Sequence, residues 1–162
     1  MSEHGGRGGW VIIASFVVAL ALTVVPLPEW LAPWRPEFVA LVLIYWCMAL
    51  PARVGVGVGW LVGLLSDVLR GALLGQFALA YAVLAWIVLY QHQRIRVFPP
   101  WQQALWIFGM LGIAQLLVLW VHGIVGLAPG TWLYWASLLT SAALWPFLFG
   151  LLREVRRRYR VR

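Results

Sequence analysis

Lysine is absent from this 162-residue chain, and cysteine, histidine and acidic residues are few. The one cysteine, Cys47, can form no intramolecular disulfide and no cysteine-based zinc site. The three histidines are scattered along the chain and have no metal-ligand partner at helical spacing. Ser66, Ser137, Thr140 and Ser141 could be nucleophiles in principle, but none has a histidine base nearby in the sequence. We therefore expect no catalytic residue, no metal and no cofactor, and a protein that is not an enzyme.

Hydrophobic residues make up 64% of the chain and are concentrated in six stretches with almost no charge inside them. A membrane-spanning helix needs about 20 mostly apolar residues, which the last two stretches easily supply. The first, second and fourth look short, so their helices would include flanking residues, lie in thinned bilayer or be shielded by neighbours. The pattern predicts an all-α integral membrane protein, a compact bundle of six transmembrane helices. The stretches are Trp10–Val25, Pro36–Leu50, Val54–Leu69, Gln76–Tyr90, Trp101–Ile124 and Thr131–Leu152.

The arginines predict the orientation of these helices. With six crossings, ten of the twelve arginines fall on one side, and only Arg35 and Arg70 fall on the other. Arginine in short loops is retained in the cytoplasm, so both termini are expected there. Five crossings would leave one arginine cluster outside and are less favoured. We predict a single membrane domain over 1–162, with a cytoplasmic N-terminus (1–9), six helices (10–152) and a basic cytoplasmic tail (153–162).

The C-terminal tail is the most basic segment of the chain. We expect its arginines to act as a topology signal and to contact anionic lipid headgroups, at about 1 kcal/mol for each basic residue near the surface. Topology accounts for most of the formal net charge of +7, so we expect no nucleic-acid partner. The tail arginines are Arg153, Arg156, Arg157, Arg158, Arg160 and Arg162.

The third stretch contains glycines at intervals of four residues. Gly55, Gly59 and Gly63 share one helix face, which would allow another backbone to approach closely. The same interval leads on to Asp67 and Gly71, so Asp67 is expected on the tightly packed side of the helix, and Gly71 and Gly75 are counted with the helix-packing glycines. Three roles for Asp67 remain open. It is a structural polar contact, a contact with a partner or ligand, or a group in proton or ion transport.

Arg70 follows Asp67 by three residues and is the partner we expect for it within the helix. Arg70 would also suit the negative C-terminal end of that helix, and Gly71 could cap it. The favoured role for Asp67 is the structural one, because a relay would need further acidic groups at depth. The remaining acidic residues lie at segment ends or in tails.

Several segments together resemble a known family. In their order and spacing they are similar to the MreD family of bacterial rod shape-determining proteins, most closely its proteobacterial branch, over nearly the whole chain. No single one of these motifs is diagnostic. The segments are Arg35-Pro36, Ile44–Gly55, Gly63–Gly75, Trp101–Leu105 and Leu144–Pro146.

The resemblance implies a fold similar to the substrate-binding subunits of vitamin ECF transporters. It also implies a non-enzymatic scaffold in the bacterial inner membrane, within the machinery (the elongasome) for lateral peptidoglycan synthesis. The implied partners are MreC, then RodA and the penicillin-binding transpeptidase, with MreB and RodZ indirectly. By position, Arg35, Pro36, Asp67, Gly71 and Gly75 match the family's recurrent core signature. We expect a lipid-facing groove of aromatic or small residues to take the MreC helix.

The alternative function is a small-molecule, vitamin-like binding subunit of a membrane transporter. It rests on analogy of fold alone, which is a weak basis for function. Such a subunit needs a pocket with a few convergent polar groups. The candidates are Arg35, Glu37, Asp67, Arg70, Gln76, Gln115 and His122.

Overall fold

The computed structural model describes residues 9–31, 34–51, 54–71, 74–126 and 135–159. Within these residues there are six helices and no strand, which confirms the all-helical prediction for this part of the chain. The helices α4 and α6 continue past their apolar stretches, so that basic side chains lie on their last turns, where the helix dipole favours positive charge. The helices are α1 (Gly9–Val24), α2 (Phe38–Ala49), α3 (Val56–Arg70), α4 (Gln76–Arg96), α5 (Pro100–Val125) and α6 (Ala136–Arg158).

Two helical segments are long and apolar enough to cross a membrane, Trp101–Val121 in α5 and Ala136–Arg158 in α6. Length and composition alone do not separate such a helix from the core helix of a soluble protein. Only 33% of the most apolar window in each is buried within the bundle, so most of its side chains face outward. Large apolar side chains are exposed on other helices too, including Trp86 (60%) and Val68 (66%). Exposed apolar side chains in such number are unusual for a soluble monomer.

The helix α2 lies at the centre of the bundle. Every residue from Val39 to Met48 is buried, as expected for a helix that is apolar on all sides. It packs against α1, α4 and α6, while α3 packs against α1 and α4, and α5 packs against α4 and α6. At 12 residues it is about 18 Å long, shorter than the hydrocarbon core of a bilayer. Its neighbours shield it, which is one of the three expected solutions for a short stretch.

The bundle has two ends of different charge. The ring of Trp10, near the start of α1, lies 5.1 Å from the ring of Tyr159, just after α6, so both helix termini lie at one end. We call it the basic end, because the arginines of the last turns of α4 and α6 lie there. The other, mixed-charge end holds the residues before α2 and the turn between α3 and α4, with Arg35, Glu37 and Asp67.

The closest contact in the bundle joins α3 and α4. A Cβ atom at Gly63 would meet the backbone of Ala78 and lie 2.5 Å from the Phe77 carbonyl oxygen. A Cβ atom at Gly59 would lie 2.8 Å from the Tyr81 carbonyl oxygen. At Gly55 it would make only an ordinary contact, 3.6 Å from the Leu89 side chain. The helices therefore approach most closely toward the mixed-charge end.

Replacing Gly63 with alanine should destabilise the protein, because the added methyl group overlaps backbone atoms of α4 that cannot move independently. We expect a loss of about 1–3 kcal/mol, the usual cost of overpacking. The matched control is Gly57→Ala on the same helix, where a Cβ atom meets nothing within 4 Å. Both changes favour the helix by about 1 kcal/mol in propensity, so the control should be neutral or stabilising. Thermal unfolding in detergent measures both, and equal melting temperatures would contradict the close approach.

Candidate functional site

The Asp67 carboxylate caps the first turn of α4 from the neighbouring helix. It is fully buried in the last turn of α3. Oδ2 accepts the Gly75 N–H at 2.8 Å and the Ala78 N–H at 3.4 Å, and Oδ1 accepts the Phe77 N–H at 2.7 Å. The first amides of a helix have no partner within it, and the helix dipole favours negative charge there. These bonds explain how a buried carboxylate is tolerated at this position.

Two glycines shape the turn that brings α4 back to Asp67. Gly71 ends α3 with φ +66°, as its expected role as a cap requires, and Gly75 precedes α4 with φ +100°. A Cβ atom at either would meet nothing within 4 Å. The reason for glycine here is therefore the left-handed backbone, and not the helix packing expected from the four-residue repeat.

Arg70 pairs with Glu37 instead of Asp67. Arg70 Nη2 lies 3.0 Å from Glu37 Oε2, with the two side chains 24% and 15% exposed. The Arg70 guanidinium also lies 4.3 Å from the centre of the Phe77 ring. No ion pair joins Arg70 to Asp67 within the described residues, because the Asp67 oxygens face the amides of α4. The expected pair within the helix is thus replaced by a contact between α3 and the residue that precedes α2.

Glu37 connects four helices at this end. Its Oε2 accepts the Tyr81 hydroxyl at 3.4 Å, in addition to Arg70, and its backbone N–H donates to Ser141 Oγ at 2.9 Å. Ser141 and Tyr81 lie on the second turns of α6 and α4, so α2 begins about one turn deeper in the bundle than these two neighbours. We define the polar cluster as Glu37, Asp67, Arg70, Tyr81 and Ser141.

Arg35 caps the C-terminal end of α1. Its guanidinium donates to the Leu22 carbonyl oxygen at 2.7 Å and also to the carbonyl oxygens of Thr23 and Val25. The last carbonyls of a helix lack partners within it, and positive charge is favoured beside them. Pro36 lies two residues before α2 begins, although the second predicted stretch started at this residue.

The polar cluster has the chemistry of a structural contact between helices. Its groups bond to one another and to helix ends, and Ser141 Oγ is held by a backbone N–H. No group of three or more potential metal ligands occurs among the described residues. Sequence reasoning did not identify Tyr81, and it named Ser141 only as a possible nucleophile. Glu37 was recognisable as an acidic residue at the edge of an apolar stretch, but nothing in the sequence paired it with Arg70, Tyr81 or Ser141.

Three of the residues proposed for a small-molecule pocket, Glu37, Asp67 and Arg70, lie together in the polar cluster, but they are bonded to protein groups there. Gln115 bonds to Ser137 between α5 and α6, about one helical turn from Ser141 of the polar cluster, and the His122 side chain is outside the described part. The described residues line a groove of about 670 Å³ between α4 and α5 and a pocket of about 280 Å³ at the basic end. None of the seven candidates lines either cavity.

The tail arginines lie at the basic end as far as they are described. Arg153, Arg156, Arg157 and Arg158 occupy the last turns of α6. Arg160 and Arg162 lie outside the described residues.

Comparison with known proteins gives one consistent result. The family model of the rod shape-determining protein MreD matches residues 6–155. The rod shape-determining protein MreD of Haemophilus influenzae is 30% identical over 152 residues, which cover 94% of this chain and 94% of that protein. No solved structure matches the chain, so the expected similarity to ECF transporter subunits stays a prediction.

Replacing Asp67 with asparagine should release the first turn of α4, because an amide cannot accept hydrogen bonds on both of its polar atoms. We expect a loss of about 2 kcal/mol or more, as for hydrogen bonds to charged groups. Hydrogen exchange at the Gly75 and Phe77 amides should become faster, and the melting temperature should fall. Glu29→Gln is the control, because it removes the same charge from an exposed position at the same end. Unchanged amide protection in Asp67→Asn would disprove the cap.

Proposed function

Because the chain belongs to the rod shape-determining protein MreD family, we propose that it is a non-enzymatic membrane scaffold for cell-wall elongation. The role in cell shape follows from the family. The observation that carries the proposal is that both matches extend over nearly the whole chain, and so include all six helices. The polar cluster supports it, since its side chains hold helices together and present no set of catalytic groups.

The proposed arrangement is six crossings of the bacterial inner membrane with both termini in the cytoplasm. The helices alternate in direction, and α1 begins beside the end of α6. Among the described residues the basic end carries Glu154 and six arginines: Arg94, Arg96, Arg153, Arg156, Arg157 and Arg158. The mixed-charge end has two arginines and three acidic residues. The excess of arginine at one end supports a cytoplasmic position for it.

The groove between α4 and α5 is the proposed site for the single helix of MreC. Its floor and walls are mainly apolar, with Leu105, Trp106 and Met110 among the lining side chains. A Cβ atom at Gly109 would meet nothing within 4 Å, so a neighbouring helix has room to approach there. Small residues at such positions let helix backbones pack closely in membranes.

One polar atom in the groove supports a partner with a hydrogen-bond donor. Gln91 lines the groove, and its Oε1 is buried without a hydrogen-bond partner among the described residues. Leaving such an atom unsatisfied costs about 1–3 kcal/mol. A donor on the partner helix would remove that cost. RodA and the penicillin-binding transpeptidase would then be reached through MreC, and MreB and RodZ indirectly.

The groove between α4 and α5 and the pocket at the basic end do not support the alternative, a vitamin-like binding subunit of a transporter. Several of its candidate polar residues are occupied in helix caps and ion pairs. The two characterised cavities lie elsewhere. A membrane scaffold accounts for the same residues without a ligand.

Replacing Gly109 with phenylalanine should block the groove without disturbing the fold. We expect co-purification of MreC to fall about tenfold, equivalent to about 1.4 kcal/mol, and complementation of a strain lacking the gene to give rounded cells. Gly150→Phe on α6 is the matched control, because it is also exposed and a Cβ atom there also meets nothing within 4 Å. Both variants should elute as the wild type does in size exclusion. Normal MreC recovery with Gly109→Phe would exclude this groove.

The membrane arrangement can be tested with single cysteines after Cys47, the only native cysteine, is replaced by serine. In spheroplasts, a membrane-impermeant maleimide should label Glu29→Cys, because that residue is exposed at the mixed-charge end. Tyr159→Cys, exposed at the basic end, should react only after the membrane is permeabilised. Labelling of both positions in intact spheroplasts would place the two ends on the same side and contradict six crossings.

A further inference from the structure

Three arginines surround a pocket at the basic end. Arg96 at the end of α4 and Arg153 and Arg156 near the end of α6 line a cavity of about 280 Å³. Tyr45 and Gln103, both buried, form part of its wall. The pocket therefore combines a buried polar and aromatic interior with positive charge at its mouth.

Among the residues that the structure describes, no acidic side chain lines this pocket. Glu154 is adjacent to Arg153 in sequence, yet no ion pair between them falls within 4 Å, and the ion pair described in the structure lies at the opposite end. Three like charges around one cavity repel one another. An anion within the pocket would offset this repulsion.

The interior of the pocket is fixed by contacts between helices. Gln103 donates to the Ile95 carbonyl oxygen at 3.0 Å, and its Oε1 accepts the Trp145 indole N–H at 3.2 Å. Ile95 adjoins Arg96, and Trp145 precedes Arg153 by about two turns on α6. Gln103 thus holds together the two helices that carry the arginines. The rings of Tyr45 and Phe149 also meet edge to face with centroids 5.7 Å apart.

We propose that this pocket binds a phosphate group. Guanidinium groups form paired, charge-assisted hydrogen bonds with phosphate oxygens, so arginine is well suited to bind a phosphate group at a defined position. The volume lies at the small end of the range for ligand sites, so it suits a phosphate and the first atoms attached to it. Arg94, Arg157 and Arg158 lie on the same two helices but do not line the pocket, so they are not part of this proposed site.

The phosphate has two possible sources with the same chemistry. It belongs either to the headgroup of an anionic phospholipid, which rests on the proposed position of this end at the membrane surface, or to a water-soluble phosphate compound. Neither source depends on the proposed contact with MreC.

The test compares two variants that each lose three positive charges from the ends of α4 and α6. The pocket variant combines Arg96→Gln, Arg153→Gln and Arg156→Gln. The control variant combines Arg94→Gln, Arg157→Gln and Arg158→Gln. Each full-length protein is placed in nanodiscs of equal parts phosphatidylethanolamine and phosphatidylglycerol, and native mass spectrometry counts the phosphatidylglycerol it retains. In parallel, delipidated protein in neutral detergent is titrated with inorganic pyrophosphate while its melting temperature is followed.

A phospholipid source predicts that the wild type and control variant retain phosphatidylglycerol, while retention by the pocket variant falls about tenfold or more. A soluble source predicts that pyrophosphate raises the melting temperature of the wild type and control only. Equal loss of binding in both variants, unchanged binding in the pocket variant, or no binding by the wild type in either assay would overturn the proposal. If the triple pocket variant fails to fold, Arg153→Gln and Arg157→Gln give the same comparison with single changes.

Discussion

The bundle depends on how the first amides of α4 are satisfied. They lie against protein, and the Asp67 carboxylate supplies the acceptors that the helix itself lacks. That contact requires a tight return of the chain, which the left-handed glycines of the turn allow, and a close approach of two backbones, which Gly59 and Gly63 allow. The glycines and the carboxylate are therefore parts of one structural unit. Together they fix α3 against α4, and α4 in turn forms part of the wall around α2.

The central helix imposes the second constraint. Because α2 is short and enclosed, its N-terminal end lies deeper in the bundle than the ends of the neighbouring helices. Side chains of those helices must therefore form the hydrogen bonds and ion pairs that its polar atoms need. Ser141 accepts the Glu37 N–H, and Arg70 and Tyr81 contact the Glu37 carboxylate. Burial of an unpaired carboxylate would be costly, and these contacts offset that cost. The polar groups at this end of the bundle therefore stabilise the fold.

The six helices could be predicted from sequence because apolar composition determines which segments avoid water. The closely packed face of α3 was also visible, because its glycines repeat at helical spacing. The partners of Asp67 and Arg70 could not be predicted. Asp67 bonds to backbone amides of the next helix. Every residue except proline has such an amide, so the sequence does not show which ones will be its partners. Glu37 and Ser141 are 104 residues apart, and only the packing of α2 against α6 brings them together. Likewise, the tail arginines look equivalent in sequence, but only the folded bundle places Arg153 and Arg156 beside Arg96.

The two ends of the bundle consequently differ in what a substitution can reveal. At the mixed-charge end the charged groups of the polar cluster and Arg35 already have protein partners, so changing them alters the fold before it alters any contact with another molecule. A defect in cell shape caused by a substitution at Asp67 would therefore reflect loss of folded protein. Only a parallel measurement of protein stability could separate that effect from a lost contact with a partner. At the α4–α5 groove and the basic end, exposed arginines and open glycines can be changed with little effect on packing. A defect that arises there in a fully folded protein is the kind that identifies a binding surface.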